Sequence, residues 1–137
     1  MSTAFSKEEK AAMRATVAEE KARKEGADLE ATCLAAIAKM TGTDKALAET
    51  VHKLVTTNTA LKPKTWYGMP AYTNADGKVI VFFQGADKFK VRYATIGFQP
   101  DAQLDNGNLW PTSWAVVKLG DAEQKELVKL LKKAVGA

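Results

Sequence analysis

The chain contains one cysteine, Cys33, and one histidine, His52, among its 137 residues. Zinc sites and nucleophilic catalytic sets combine several such residues, and this sequence offers no second cysteine or histidine. Cys33 falls on an apolar helical stripe, which predicts a small buried side chain and not a reactive thiol. His52 is expected at the rim of the next helix, solvated or partly packed. We therefore expect no catalytic residue, no cofactor and no enzymatic activity. A carboxylate-only cation site at Glu19 with Glu20 or at Asp101 with Asp105 stays open, but solvated surface charge is favoured, so no metal ligand is assigned.

Aromatic residues are the second feature that could carry chemistry. All three tryptophans, all three tyrosines and four of the five phenylalanines lie between residues 66 and 114. Tyrosine and tryptophan join an apolar ring to a polar tip, so they occur both in cores and in pockets whose opening is in contact with water. The sequence is compatible with two interpretations: the aromatic side chains fill the core, or they line a cleft that is open to solvent. For the cleft, the predicted ligand-binding residues are Trp66, Tyr67, Met69, Tyr72, Arg92, Trp110 and Trp114.

The charge pattern suggests a weaker alternative. With 20 Lys+Arg and 16 Asp+Glu, the net charge is +4. Residues 88–93 alternate basic and apolar, so a strand there would place Lys88, Lys90 and Arg92 on one face. Such a face beside aromatic rings would suit an anion or a nucleic acid. Because the other basic residues are spread along the chain, a small ligand or a protein partner is favoured over nucleic acid.

Three helices are predicted over residues 6–59. Residues 7–24 are rich in helix formers, preceded by a capping pattern of Ser6 with Glu9 and followed by Gly26 as a stop. Asp28 and Thr43 are the predicted caps of the next two helices. The apolar residues of these two helices repeat at helical period, which predicts buried stripes: Leu29, Cys33, Ile37 and Met40, then Leu47, Val51, Leu54 and Val55.

Strands and a closing helix follow. Residues 65–72 contain Gly68 and Pro70, which indicate an edge strand or an irregular segment. Residues 79–83, 88–93 and 114–119 are strand-like, with a turn at 74–77. Asp121 is the predicted cap of a last helix, with Gln124 at the capping-box position and a buried stripe of Leu127, Leu130, Leu131 and Ala134. This order predicts an α+β fold with N-terminal helices, an antiparallel sheet of about four to five strands, and a C-terminal helix packed on the sheet.

Two segments resemble a known family. Residues 63–72 read P-K-T-W-Y-G-M-P-A-Y and lead into a G-K-V-I-V-F-F strand, and residues 109–115 read L-W-P-T-S-W-A. Over about residues 30–135 the chain resembles the YdhG-like family of unknown function. The resemblance implies an α+β, frataxin-like fold in a bacterial cytoplasmic protein. The first helix lies outside the strongest match, and its few large apolar side chains predict a surface position. The expected organisation is an N-terminal surface helix over residues 1–27 and a YdhG-like domain over residues 28–137, together a single domain.

These observations lead to one principal functional expectation and one main alternative. The principal expectation is a non-enzymatic domain that binds a small ligand or a protein partner in an aromatic-lined cleft, as a monomer or a homodimer. The alternative is an intracellular iron chaperone, a role that the resemblance implies for some family members. One cysteine and no apolar run of membrane length predict a cytoplasmic protein that has no membrane partner.

Overall fold

A computed structural model describes residues 7–24 and 28–136. For residues 18–24 it describes the backbone alone. Within the described residues the elements are four helices and five strands: α1 Lys7–Lys24, α2 Leu29–Ala38, α3 Gly42–Asn58, β1 Lys62–Trp66, β2 Met69–Thr73, β3 Val79–Gln84, β4 Ala94–Phe98, β5 Ser113–Val116 and α4 Asp121–Ala134. The predicted α+β class is confirmed. Ser6 and Gly26, the predicted start and stop signals of α1, lie outside the described residues.

The start of α2 follows the prediction and the start of α3 does not. Oδ1 of Asp28 accepts a hydrogen bond of 2.9 Å from the backbone N–H of Glu30, as a helix cap should. The N-cap of α3 is Thr41, two residues before the predicted Thr43. The carbonyl of Thr41 accepts the backbone N–H of Lys45 at 3.4 Å, and this bond places the start of the helix at Gly42.

The cap of α4 lies one residue before the predicted Asp121. Gly120 is the N-cap, and Oε1 of Glu123 accepts its backbone N–H at 2.9 Å. Gln124, the predicted capping partner, instead donates its side-chain amide to the carbonyl of Leu119. The predicted apolar stripe is retained: Leu127, Leu131 and Ala134 are buried, and Leu130 is partly buried.

The five strands pair in chain order, each antiparallel to the next. The first hairpin closes at the pair Trp66 and Met69, so its turn contains only Tyr67 and Gly68. Both turn residues have positive φ, 53° and 78°, as a type I′ turn requires. The segment 65–72, predicted as one edge strand or an irregular stretch, is therefore the end of β1, a tight turn and most of β2.

The alternating run 88–93 is not a strand, which corrects the sequence prediction. Asp87–Phe89 forms a 3-10 turn, Lys90 has a φ of 53°, and β4 begins only at Ala94. The chain turns here because a carboxylate from α3 binds the backbone N–H groups at the start of the loop, as described below. Lys88, Lys90 and Arg92 consequently do not share a strand face.

The helices cover one face of the sheet. The α2 helix packs on β1 and β2, while α3 packs beside α4. Val81 is paired with Tyr72 on one side and with Phe98 on the other, so these three side chains share the inner face. On the outer face the ring of Phe82 lies over Gly97, where a Cβ would have no room. Within residues 7–24 and 28–136, no helix has both the length and the apolarity needed to cross a membrane.

Candidate functional site

A cleft of about 630 Å³ opens between α2, the turn of the first hairpin and the loop that follows β3. We call it the hairpin cleft. Small and flexible side chains of α2 and the segment after it form one wall, including Ala35, Ala36 and Met40. Gly68 and Met69 form the opposite wall. The cleft thus lies where the W-Y-G-M-P string turns between β1 and β2.

The third wall of the cleft is a loop held by a buried carboxylate. Asp44, in the first turn of α3, is only 7% exposed. Its Oδ1 accepts the backbone N–H of Ala86 and its Oδ2 accepts that of Asp87, each at 2.9 Å. A carboxylate accepting two backbone N–H groups is well satisfied without a cation. The Asp44 side chain therefore fixes the loop that bears Lys88 and Phe89.

Lys88 and Phe89 line the cleft from this loop. Nζ of Lys88 would lie 3.5 Å from a Cβ built on Gly68, so the ammonium group lies over the hairpin turn. The same Nζ is 5.9 Å from the centroid of the Phe89 ring, which is 42% exposed. Lys39 lies at the rim on the α2 side, and Asp87 is the exposed acid among the lining residues. Apart from Asp44, whose carboxylate is engaged by N–H groups, the charged residues that line the cleft are therefore two lysines and one acid.

The predicted site residues near this cleft fall into two groups. Met69 lines the cleft. Trp66 instead packs against Tyr67 and Phe82, with ring centroids 5.0 and 5.4 Å apart. Tyr67 is 49% exposed and faces a shallow groove beside Met13 of α1.

The other four predicted residues lie away from the cleft. Tyr72 is fully buried in the core, so it lines no open surface. Arg92 is stacked over the ring of Tyr93, with its guanidinium carbon 5.2 Å from the centroid. Trp110 and Trp114 pack, partly buried, against the core, and Trp114 belongs to β5. The aromatic side chains are therefore spread over both sides of the sheet and do not line one shared cleft.

Comparison with protein-family models, with curated proteins and with solved structures gives no match to this chain. The chemistry of the site must accordingly be read from its own residues.

A polar cluster of two buried side chains, Cys33 and Tyr72, and the partly buried His52 lies between α2, α3 and β2. The hydroxyl of Tyr72 lies 3.0 Å from Nδ1 of His52, and Sγ of Cys33 is 4.0 Å from the same nitrogen. Burial raises the pKa of the Cys33 thiol to about 11 and also raises the pKa of the Tyr72 phenol. Burial lowers the pKa of His52, against the opposing influence of the Glu30 carboxylate. All three groups are therefore neutral at pH 7, and Cys33 is the small buried side chain that the sequence predicted.

Metal-binding chemistry has little support in the described part of the chain. Among those residues, no three or more His, Cys, Asp or Glu side chains are grouped so that they could hold a metal ion. The carboxylate of Asp44 is already engaged by two N–H groups.

Sequence reasoning missed Asp44 as the residue that shapes the cleft. An acidic side chain in the first turn of a helix is ordinary, because it complements the helix dipole. Its partners lie more than forty residues further along the chain, at Ala86 and Asp87. The one local signal is Gly85 directly after a buried strand, which marks a close backbone approach.

Proposed function

We propose that this protein is a non-enzymatic domain that binds a small ligand in the hairpin cleft. The observation that carries the proposal is the convergence of α1, α2, the start of α3, the first hairpin and the loop after β3 on one concave space of about 630 Å³. That volume falls within the range of small-molecule sites, about 300–1,000 Å³. The hydrogen bonds of Asp44 fix one wall before any ligand arrives, and a fixed wall lowers the entropy lost on binding.

The lining residues favour a ligand with an apolar body and one anionic group. Ala35, Ala36 and Met40 offer apolar surface without bulk, so a flat or branched hydrocarbon can lie against α2. Lys88 and Lys39 supply ammonium groups at two sides of the opening. A carboxylate or phosphate on the ligand would gain from both.

The resemblance to the YdhG-like family remains part of this proposal. Gly68 and Met69 belong to the W-Y-G-M-P string and line the cleft, which supports a ligand-contacting role for that string. We place the protein in the cytoplasm, where a single unpaired cysteine is ordinary. The iron-chaperone alternative gains no support from the described residues, and anaerobic calorimetry with ferrous iron is its direct test.

Methyl NMR of methionine tests the proposal. The chain has four methionines, of which Met40 and Met69 line the cleft while Met13 lies beside Tyr67. A fragment set of aryl and alkyl carboxylates, paired with the corresponding neutral amides, is added to protein labelled at the methionine methyl groups. We expect carboxylates to shift the Met40 and Met69 signals and leave Met13 unchanged, with the amides weaker.

A cleft-filling variant provides the matched control. Ala36→Phe places a ring in the cleft, whereas Ala38→Phe places the same ring on an exposed part of the same helix. Fragment binding should be lost in the first variant and kept in the second. The proposed site would be disproved if fragments still bind to Ala36→Phe. It would also be disproved if no fragment of the set shifts the Met40 or Met69 signal in the wild type.

A further inference from the structure

The two edges of the sheet differ in how they are protected. β1 carries Lys62, Pro63 and Lys64, and both α1 and α2 pack against it. Lysine and proline on an edge strand discourage pairing with another chain. β5 at the other edge, Ser113–Val116, contains neither a charge nor a proline. Val117, directly after β5, is 66% exposed.

An apolar groove of about 330 Å³ runs beside this open edge, between β5 and α4. We call it the β5 groove. Trp114 and Val116 line it from the strand, and Leu127 and Leu130 line it from the helix. Trp114 and Leu130 are only partly buried, so the groove leaves core-type side chains open to solvent. A short strand edge without a charge or a proline of its own and an apolar groove thus lie side by side, with Lys118 at the groove as the nearest basic residue after the strand.

The flank of α4 beside the groove has a polar pattern of its own. Glu123 and Glu126 line the groove near the N-terminal end of the helix. Leu130 and Lys133 lie seven residues beyond them, which is two helical turns, so they continue the same flank. Lys129, between Glu126 and Lys133 at helical spacing, belongs to it too, so the flank is acidic towards the N-terminal end of α4 and basic towards the C-terminal end.

We infer that a second copy of this chain docks on this edge, with β5 paired antiparallel to β5 of the partner around a two-fold axis. The result is one continuous sheet with five strands from each copy. A two-fold axis reverses the direction of α4, so the acidic end of one flank lies across from the basic end of the other. The pattern is self-complementary, and this favours a second copy over an unrelated strand. This inference does not depend on the ligand in the hairpin cleft.

Sedimentation velocity over a concentration series tests this dimer, with the full chain. The wild type should form a dimer that dissociates on dilution. Val117→Lys places a charge at the strand edge on an exposed position, so the fold should survive, and the variant should be monomeric throughout. Circular dichroism and thermal unfolding confirm that this variant is folded. A wild type that remains monomeric at every concentration overturns the inference.

Charge exchange on α4 tests the orientation of the two copies. Glu126→Lys should raise the dimer dissociation constant about tenfold. The substitution replaces attraction between position 126 of one copy and Lys133 of the other by repulsion, and a two-fold interface contains this pair twice. Glu126→Lys with Lys133→Glu restores opposite signs and should recover most of the affinity. Lys132→Glu, turned away from this flank, is the matched control and should change little. A dimer that ignores Val117→Lys and both charge variants forms on another surface and also overturns the inference.

Discussion

A Cβ atom built on Gly85 would lie 2.8 Å from Oδ2 of Asp44. That distance is shorter than carbon and oxygen tolerate without a bond, so only glycine lets the carboxylate come this close. The same carboxylate accepts the N–H groups of the next two residues, Ala86 and Asp87. The wall of the hairpin cleft therefore depends on a hydrogen-bond acceptor in α3 and on an absent side chain in the loop after β3.

The first prediction is that Gly85 and Asp44 are energetically coupled. Gly85→Ala should lower the free energy of unfolding by about 1–3 kcal/mol, because the methyl group displaces the carboxylate from its N–H partners. Asp44→Ala should cost a similar amount. In the double variant the methyl group meets no carboxylate, so the combined loss should be clearly less than the sum. Urea denaturation of the four proteins measures this cycle.

Asp105→Ala is a suitable control for the first prediction, because Asp105 is exposed in a loop remote from the cleft. Its effect should stay within about 0.5 kcal/mol. Strict additivity of Gly85→Ala and Asp44→Ala would contradict the coupling.

The second prediction concerns the two hairpin turns. Gly68 and Gly77 have nearly the same φ, 78° and 77°, and alanine at either position should cost about 1–2 kcal/mol. Only Gly68 lies at the hairpin cleft. We therefore expect both variants to lose the same free energy of unfolding in urea denaturation. Only Gly68→Ala should change the Met69 methyl signal and weaken carboxylate binding. Equal binding by both variants would show that the turn does not shape the site.

The third prediction is a pH dependence of stability that comes from His52. Its pKa in the folded protein is below the ordinary 6.5, so the unfolded chain binds a proton at higher pH than the folded chain. The contribution of His52 is complete above pH 6.5 and decreases as the pH falls from 6.5 towards the folded pKa. The neutral ring is also the form whose Nδ1 can accept the hydroxyl of Tyr72.

His52→Asn keeps an acceptor near Tyr72 but cannot titrate, so the step just below pH 6.5 should disappear from its stability profile. Because the chain has one histidine, NMR titration of the imidazole ring gives the folded pKa without ambiguity. A value at or above 6.5 would contradict this prediction.

The fourth prediction is that Cys33 resists thiol reagents in the folded protein. Its side chain is fully buried and its pKa is raised to about 11, so little thiolate is present at pH 8 and none of it is accessible. Labelling should require unfolding and should become fast in guanidinium. Ala38→Cys adds an exposed thiol to the same helix and should give one fast and one slow reaction. Rapid labelling of Cys33 in native wild type would show that the cluster opens readily.

The helical stripes of α2, α3 and α4 could be predicted because they repeat within one element and depend on burial alone. The run 88–93 could not, because its alternation favours a strand while the hydrogen bonds of Asp44, from a distant helix, impose a turn. The first hairpin was missed because Tyr67 occupies a positive-φ position where asparagine or aspartate is usual.

The candidate site was harder to predict than the fold. Aromatic residues dominate the composition of the second half, yet they are divided between the core, the hairpin and the β5 edge. Alanines of α2 form a wall of the cleft, and alanine gives no chemical signal in a sequence. The shape of the site follows from how distant elements pack, which local patterns do not encode.

The chain-order pairing of the strands has a consequence for how the protein is made. Each strand pairs with the one synthesised just before it, so the sheet can lengthen one hairpin at a time as the chain leaves the ribosome. The α4 helix is synthesised after all five strands, and its contacts with α3 join the last element to the first half of the domain. Until those contacts form, the apolar side chains of β5 that line the β5 groove lack the helix that partly covers them.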